Sequence, residues 1–82
     1  MKITVQLLGG FRQYLPQNAK GDTIEVILEN ESSALDLANK MGIPKDLPKN
    51  ILVNGRPFKE PPGEKLLNNS DVVAIFPYVV GG

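Results

Sequence analysis

Val72-Val73-Ala74-Ile75-Phe76-Pro77, entered from Ser70-Asp71 and continuing into Tyr78-Val79-Val80-Gly81-Gly82, is the stretch that organises this 82-residue chain. Its unbroken apolar run from Val72 to Phe76 reads as a strand flanked on both sides. Pro77 closes it, because proline has no N–H to give to a ladder. The other long strand signal lies at the opposite end of the chain. Ile3, Val5 and Leu7 alternate with Lys2, Thr4, Gln6 and Leu8, the period of two of a half-buried strand. Both segments are long and apolar, which predicts a sheet whose centre is the first strand beside the last.

The segments between them supply the rest of the layer. Gly9-Gly10 ends the first strand, and Pro16, Asn18, Gly21 and Asp22 mark residues 11–22 as a loop. Ile24, Val26 and Leu28 alternate with Glu25, Ile27 and Glu29, a second strand. Ser33 and Asp36 have the spacing of a capping box. Ala34, Leu37, Ala38 and Met41 then fall on one helical face, Gly42 suits the position just past a helix end, and Pro44 forbids continuation. The pattern predicts a helix over 33–41. Ile51-Leu52-Val53 before Asn54-Gly55 predicts a tight hairpin, since both turn residues tolerate positive φ. Its return strand, near Arg56-Pro57-Phe58, has to be short or at an edge because of Pro57. Leu66 and Leu67 are expected to plug the core beneath the Glu60-Pro61-Pro62-Gly63 loop. The expectation is an α+β domain over residues 1–77, a mixed sheet of four to five strands packed on one helix, followed by a flexible C-terminal diglycine tail, 78–82.

Composition excludes several kinds of function. Nine basic and nine acidic residues cancel, and no run of like charge stands out, which disfavours nucleic-acid binding. The chain has no cysteine and no histidine. Disulfides, Cys or His metal sites, thiol nucleophiles and imidazole bases are thereby removed, and no Asp/Glu cluster has calcium-loop spacing. No metal ligand is assigned. The N-terminal segment alternates and lacks the apolar core of a signal peptide, and nothing approaches a membrane span. A soluble, cytoplasmic protein without a membrane or nucleic-acid partner is expected.

The tail is the candidate working part. The six residues from Pro77 to Gly82 span about 20 Å when extended. Glycine gives a thin backbone with no side chain to pack, so Gly81-Gly82 suits an arm that threads a narrow passage where a Cβ would clash.

With these motifs in place the chain resembles the MoaD/ThiS family of sulfur carriers, over nearly its whole length. The resemblance is carried by Met1–Leu8, Phe11-Arg12-Gln13, Met41-Gly42-Ile43-Pro44, Val53-Asn54-Gly55-Arg56 and, most specifically, Ser70–Pro77 leading to Gly81-Gly82. It implies the ubiquitin-like β-grasp fold. It also implies a protein co-substrate rather than an enzyme. An E1-like adenylating enzyme using ATP and magnesium activates the Gly82 carboxylate, and a sulfurtransferase then delivers sulfur to form a thiocarboxylate; the carrier itself holds no cofactor. The Phe76-Pro77 step leans toward the molybdopterin (or tungstopterin) branch, in which a molybdopterin synthase large subunit is a further partner. Pro77-Tyr78 stands where that branch commonly has Pro-Pro, and Val80 where it often has a small residue. Thiamine or tRNA-thiolation carriers, a ubiquitin-like modifier joined through Gly82 to target lysines, and a β-grasp interaction domain remain open. The free protein is expected to be a monomer.

Strand parity places Leu8 and Phe76 on the outer face of the sheet, and Phe58 is expected to join them in an exposed apolar patch. The alternative is that these three cap a core edge. Members of the family it resembles dock partner enzymes through this face, so the resemblance implies partner binding by Leu8, Phe58, Phe76, Pro77, Tyr78, Val79 and Val80, and a reacting end at Gly81 and Gly82. Asp36 and Asp71 are read as cap and turn residues.

Overall fold

A computed structural model describes residues 1–78. Its elements are β1 (Lys2–Leu7), a 3-10 helix (Gly9–Tyr14), β2 (Thr23–Ile27), α1 (Ala34–Lys40), β3 (Lys49–Val53) and β4 (Val72–Pro77). The sheet is four-stranded with order β2-β1-β4-β3. β1 and β4 are parallel neighbours at its centre, while β2 and β3 flank them antiparallel. The expected α+β layer with the first and last strands side by side is what forms.

The inner face carries the core. Ile3, Val5 and Leu7 of β1, Val73 and Ile75 of β4 and Ile51 of β3 are buried in one cluster with Ala34, Leu37 and Ala38 of α1. Each large aliphatic side chain so buried contributes about 1.5–3 kcal/mol relative to exposure.

α1 begins and ends as its sequence requires. The Ser33 hydroxyl accepts from the Asp36 N–H at 3.1 Å, and the Asp36 carboxylate accepts from the Ser33 N–H at 2.8 Å. This reciprocal pair satisfies two donors otherwise orphaned at the helix start. At the other end Gly42 adopts φ +86°. Its N–H donates to the Asn39 carbonyl, and the Ile43 N–H to that of Ala38, the pairing that stops a helix and turns its chain inward. Ile43 is accordingly buried.

Several expectations are corrected. The expected loop over residues 11–22 is open only in part: Gly9–Tyr14 coil into the 3-10 helix, which buries Phe11 and sets its ring edge-on to Tyr14 at 5.9 Å between centroids. The Asn54-Gly55 turn forms, with φ +54° and +80° and hydrogen bonds in both directions between Val53 and Arg56. No return strand follows it, because Pro57 cannot donate; only an isolated Val53–Arg56 bridge remains. Among the described residues the sheet thus has four strands, within the four to five expected. Leu67 plugs the core, but Leu66 is 53% exposed. The segment is extended and bridged to Ser33 through Leu66, so neighbouring side chains point to opposite sides.

Candidate functional site

The outer face of the sheet is set by the same registers. Thr4 pairs with Val72 and Gln6 with Ala74; Leu52 pairs with Ala74 and Asn50 with Phe76. Val72, Ala74 and Phe76 thus form an apolar line along β4, with Leu52 on one side. Leu8, just past β1, lies on the other, and its N–H still donates to the Ile75 carbonyl at 3.0 Å. Leu8, Leu52, Ala74 and Phe76 are half-buried and Val72 is exposed. Leu8 and Phe76 sit on the face that their parity predicts.

Phe58 reaches that face only at its β3 edge. It is on no strand, for the reason that removes the return strand. It approaches from the free edge of β3 and packs part of its ring against the core, with the Lys65 ammonium 5.8 Å above the ring centroid. Its remaining surface helps line a cleft of about 370 Å³ along β3, shared with Leu52, Pro57, Pro62, Phe76 and Tyr78. Phe58, Phe76 and Tyr78 are brought together there, while Leu8 stays on the far side of β4.

Among the described residues, Pro77 is the last with a strand partner, opposite Lys49. Its ring lies against Gly9, whose φ is +57°. Tyr78, 53% exposed, follows at the end of the cleft along β3. The assignments to Val79, Val80, Gly81 and Gly82 fall outside the described residues.

At the opposite pole, Asp71 is buried. Its carboxylate accepts from the Asn54 side-chain amide at 2.9 Å and from the Asn68 N–H at 2.8 Å. The Asn54 side-chain oxygen accepts in turn from the Val72 N–H at 2.9 Å. Asp71 and Asp36 are therefore occupied in holding the fold, as a turn and a cap residue. Sequence reading missed Leu52, Val72 and Gly9. The first two carried a usable signal, their parity with Phe76 across a pairing that could be guessed; Gly9 carried none beyond being a glycine. The arrangement is a shallow apolar face beside a chain exit, suited to docking.

Comparison with known proteins agrees with this reading. No protein-family model matches the sequence, and no curated protein sequence matches it. Solved structures do. The Pyrococcus furiosus protein assigned as subunit 1 of a molybdopterin converting factor is 27% identical, with TM-score 0.71 over 95% of this chain and 98% of that one. SAMP1 of Haloferax volcanii, a small archaeal modifier protein, is 19% identical, with TM-score 0.71 over 100% of both chains. Subunit 1 of the Helicobacter pylori molybdopterin-converting factor, solved in complex with subunit 2, is 17% identical, with TM-score 0.60 over 100% of both. The fold is the ubiquitin-like β-grasp, and the resemblance to the MoaD/ThiS family holds in three dimensions.

Proposed function

We propose that this chain, a ubiquitin-like β-grasp protein similar to molybdopterin-converting-factor small subunits and archaeal modifiers, is a sulfur carrier that works through Gly82. One observation carries the reading: β4, the central strand, presents the apolar line Val72-Ala74-Phe76 on the outer face and passes directly into the segment that ends in Gly81-Gly82. A partner gripping that face therefore receives the tail at a fixed point of its own surface.

The chemistry follows from the tail. A carboxylate is a poor electrophile. An E1-like partner holding ATP and magnesium lets the Gly82 carboxylate oxygen attack the α-phosphorus, releasing pyrophosphate and leaving an acyl-adenylate. A sulfurtransferase persulfide attacks that carbonyl and expels AMP. A partner thiol then cleaves the sulfur–sulfur bond and leaves the thiocarboxylate on Gly82. With no cysteine in the chain, that terminal carbonyl is the attachment point for sulfur. The acceptor in this reading is a pterin precursor, reached in complex with a synthase large subunit; subunit 2 in the Helicobacter pylori complex is a partner of that kind. Thiazole and tRNA acceptors use the same first steps.

The test incubates the protein with its activating enzyme, ATP, magnesium and a sulfur donor, and weighs it intact. Wild type gains the mass difference between sulfur and oxygen, located on Gly82. Deleting Gly82 withdraws the carboxylate by about 3.5 Å, and appending Ala moves it and adds a Cβ. Both variants stay folded and fail to thiolate. Thiolation of either variant at the wild-type rate, or sulfur elsewhere, refutes the proposal. The likeness to SAMP1 over the whole of both chains favours a second reading, conjugation of Gly82 to lysines, which an isopeptide-linked ladder in cells would reveal. If neither product forms, the chain is a β-grasp interaction domain.

A further inference from the structure

Gly9 sits where the chain leaves β1 and crosses the end of β4. Two features of the position oppose any side chain. Its φ of +57° lies in the left-handed region, where an L-residue crowds its own backbone. In addition, an L-Cβ built there stands 3.3 Å from Pro77 Cδ and 3.4 Å from Pro77 Cγ, tighter than ordinary van der Waals contact. Gly10, the next residue, has nothing within 4 Å of the same position. The closeness is thus particular to Gly9 and the Pro77 ring.

Both partners are held in place. Leu8 donates to Ile75 at 3.0 Å and Phe11 to Leu8 at 3.1 Å, so Gly9 is fixed between a ladder bond and the first bond of the 3-10 helix. Pro77 has its φ locked by its ring and stands opposite Lys49 of β3. Its ring is seated on bare Cα from the β1 side, and its backbone is registered from the β3 side. No later described residue has a strand partner, so the orientation of Pro77 sets the line along which the chain departs.

We infer that Gly9 is a positioning residue for the tail: its missing side chain is the seat of the Pro77 ring, and that seat fixes the direction in which the chain leaves β4 at Tyr78. The functional consequence rests on the carrier reading. The five residues from Tyr78 to Gly82 have a contour of about 17 Å, and a misplacement of about 1 Å at a reacting atom costs on the order of a hundredfold in rate.

The test uses the full chain made by chemical synthesis, which admits both hands of alanine. Gly9→Ala adds the Cβ and the backbone strain. Gly9→D-Ala accepts the positive φ and puts its methyl at the other hydrogen's position. Gly10→Ala is the control. Residual dipolar couplings report the direction of the Tyr78 N–H relative to β4 in the free protein. ATP–pyrophosphate exchange with the activating enzyme gives kcat and the KM for the carrier, at a temperature where every variant is folded. Gly9→Ala turns the Tyr78 vector and lowers kcat by about tenfold or more with KM little changed, because the docking face is intact. Gly9→D-Ala and Gly10→Ala stay near wild type in both readouts. In a Pro77→Ala background, Gly9→Ala has no further effect on kcat, since the ring it displaces is gone. Unchanged Tyr78 couplings in Gly9→Ala, a loss confined to KM, or an equal loss in Gly9→D-Ala overturns the inference. If wild type supports no pyrophosphate exchange, the carrier reading falls, while the Tyr78 couplings still decide whether Gly9 directs the exit.

Discussion

Replacing Asp71 by alanine tests how the β3 turn is fastened to the start of β4. Asp71 is 8% exposed, and its carboxylate accepts two hydrogen bonds, from Asn54 Nδ2 at 2.9 Å and from the Asn68 N–H at 2.8 Å. Asn54 is itself tied to Val72 twice, by its side-chain oxygen at 2.9 Å and by its own N–H at 2.7 Å. Hydrogen bonds to a charged group are worth about 1.5–3 kcal/mol net each. Asn54 and Asn68 are exposed, so water recovers part of what they lose. The lower end for each bond gives a destabilisation of about 3 kcal/mol for Asp71→Ala. A chain of this length has a total stability of about 4–12 kcal/mol. At about 4–8 °C per kcal/mol, the thermal midpoint falls by roughly 12–24 °C. Urea unfolding measures the loss directly, with an unchanged slope if the exposed surface is the same. Asp71→Asn keeps one acceptor and falls between. Because Asn54→Ala removes the same 2.9 Å bond, the double variant costs less than the sum of the singles. A loss below about 1 kcal/mol in Asp71→Ala would mean that water replaces the carboxylate and the fastening contributes nothing.

Three further outcomes are expected. On the proposed carrier function, Leu8→Ala and Phe76→Ala weaken association with an activating enzyme by about tenfold or more while costing less stability than a core truncation, which runs to about 2–5 kcal/mol; titration beside thermal unfolding separates the two, and a larger loss in unfolding returns both residues to the core. Leu67→Ala costs about 2–5 kcal/mol and Leu66→Ala under about 0.5 kcal/mol by urea titration, since only the first is buried; equal losses contradict the alternation of that segment. Ser33→Ala removes the helix cap and lowers stability by about 1 kcal/mol, read as a downward shift of the thermal midpoint, and an unchanged midpoint shows that the cap is redundant.

The parts of the fold legible in the sequence are those specified by neighbours along the chain. α1 was legible from Ser33, Asp36 and Gly42 because capping and termination are satisfied within a few residues. β1 and β4 were legible from their apolar pattern, and their adjacency from the fact that the most apolar strands take the middle of a sheet. The turn at Asn54-Gly55 followed from its demand for positive φ. What escaped depends on partners distant in sequence. The 3-10 helix hides behind Gly9-Gly10, which reads as a break, and it is held by Phe11 packing into a core built elsewhere. Leu66 and Leu67 are chemically alike, and only the bridge to Ser33 decides which faces inward. Asn54 reads as a turn residue, yet its side chain reaches Asp71 seventeen positions on. In the candidate site, Leu8 and Phe76 were legible by parity. The position of Phe58 was not, because it depends on how the chain runs once Pro57 has ended the ladder.

The central placement of β4 has a mechanical consequence. β4 is bonded to β1 on one side and to β3 on the other, and the tail is joined to its C-terminal end. When a partner draws on that end along the strand axis, the load runs parallel to the strand and across both ladders at once. Bonds set across the direction of pull share the force and must yield together; an outer strand such as β2, peeled from its end, would give up its bonds one after another. A segment anchored in the middle of the sheet can thus be pulled from its end while the domain that carries it keeps its shape. Under load, what governs survival is the rate at which the strand slips, not the equilibrium stability of the fold.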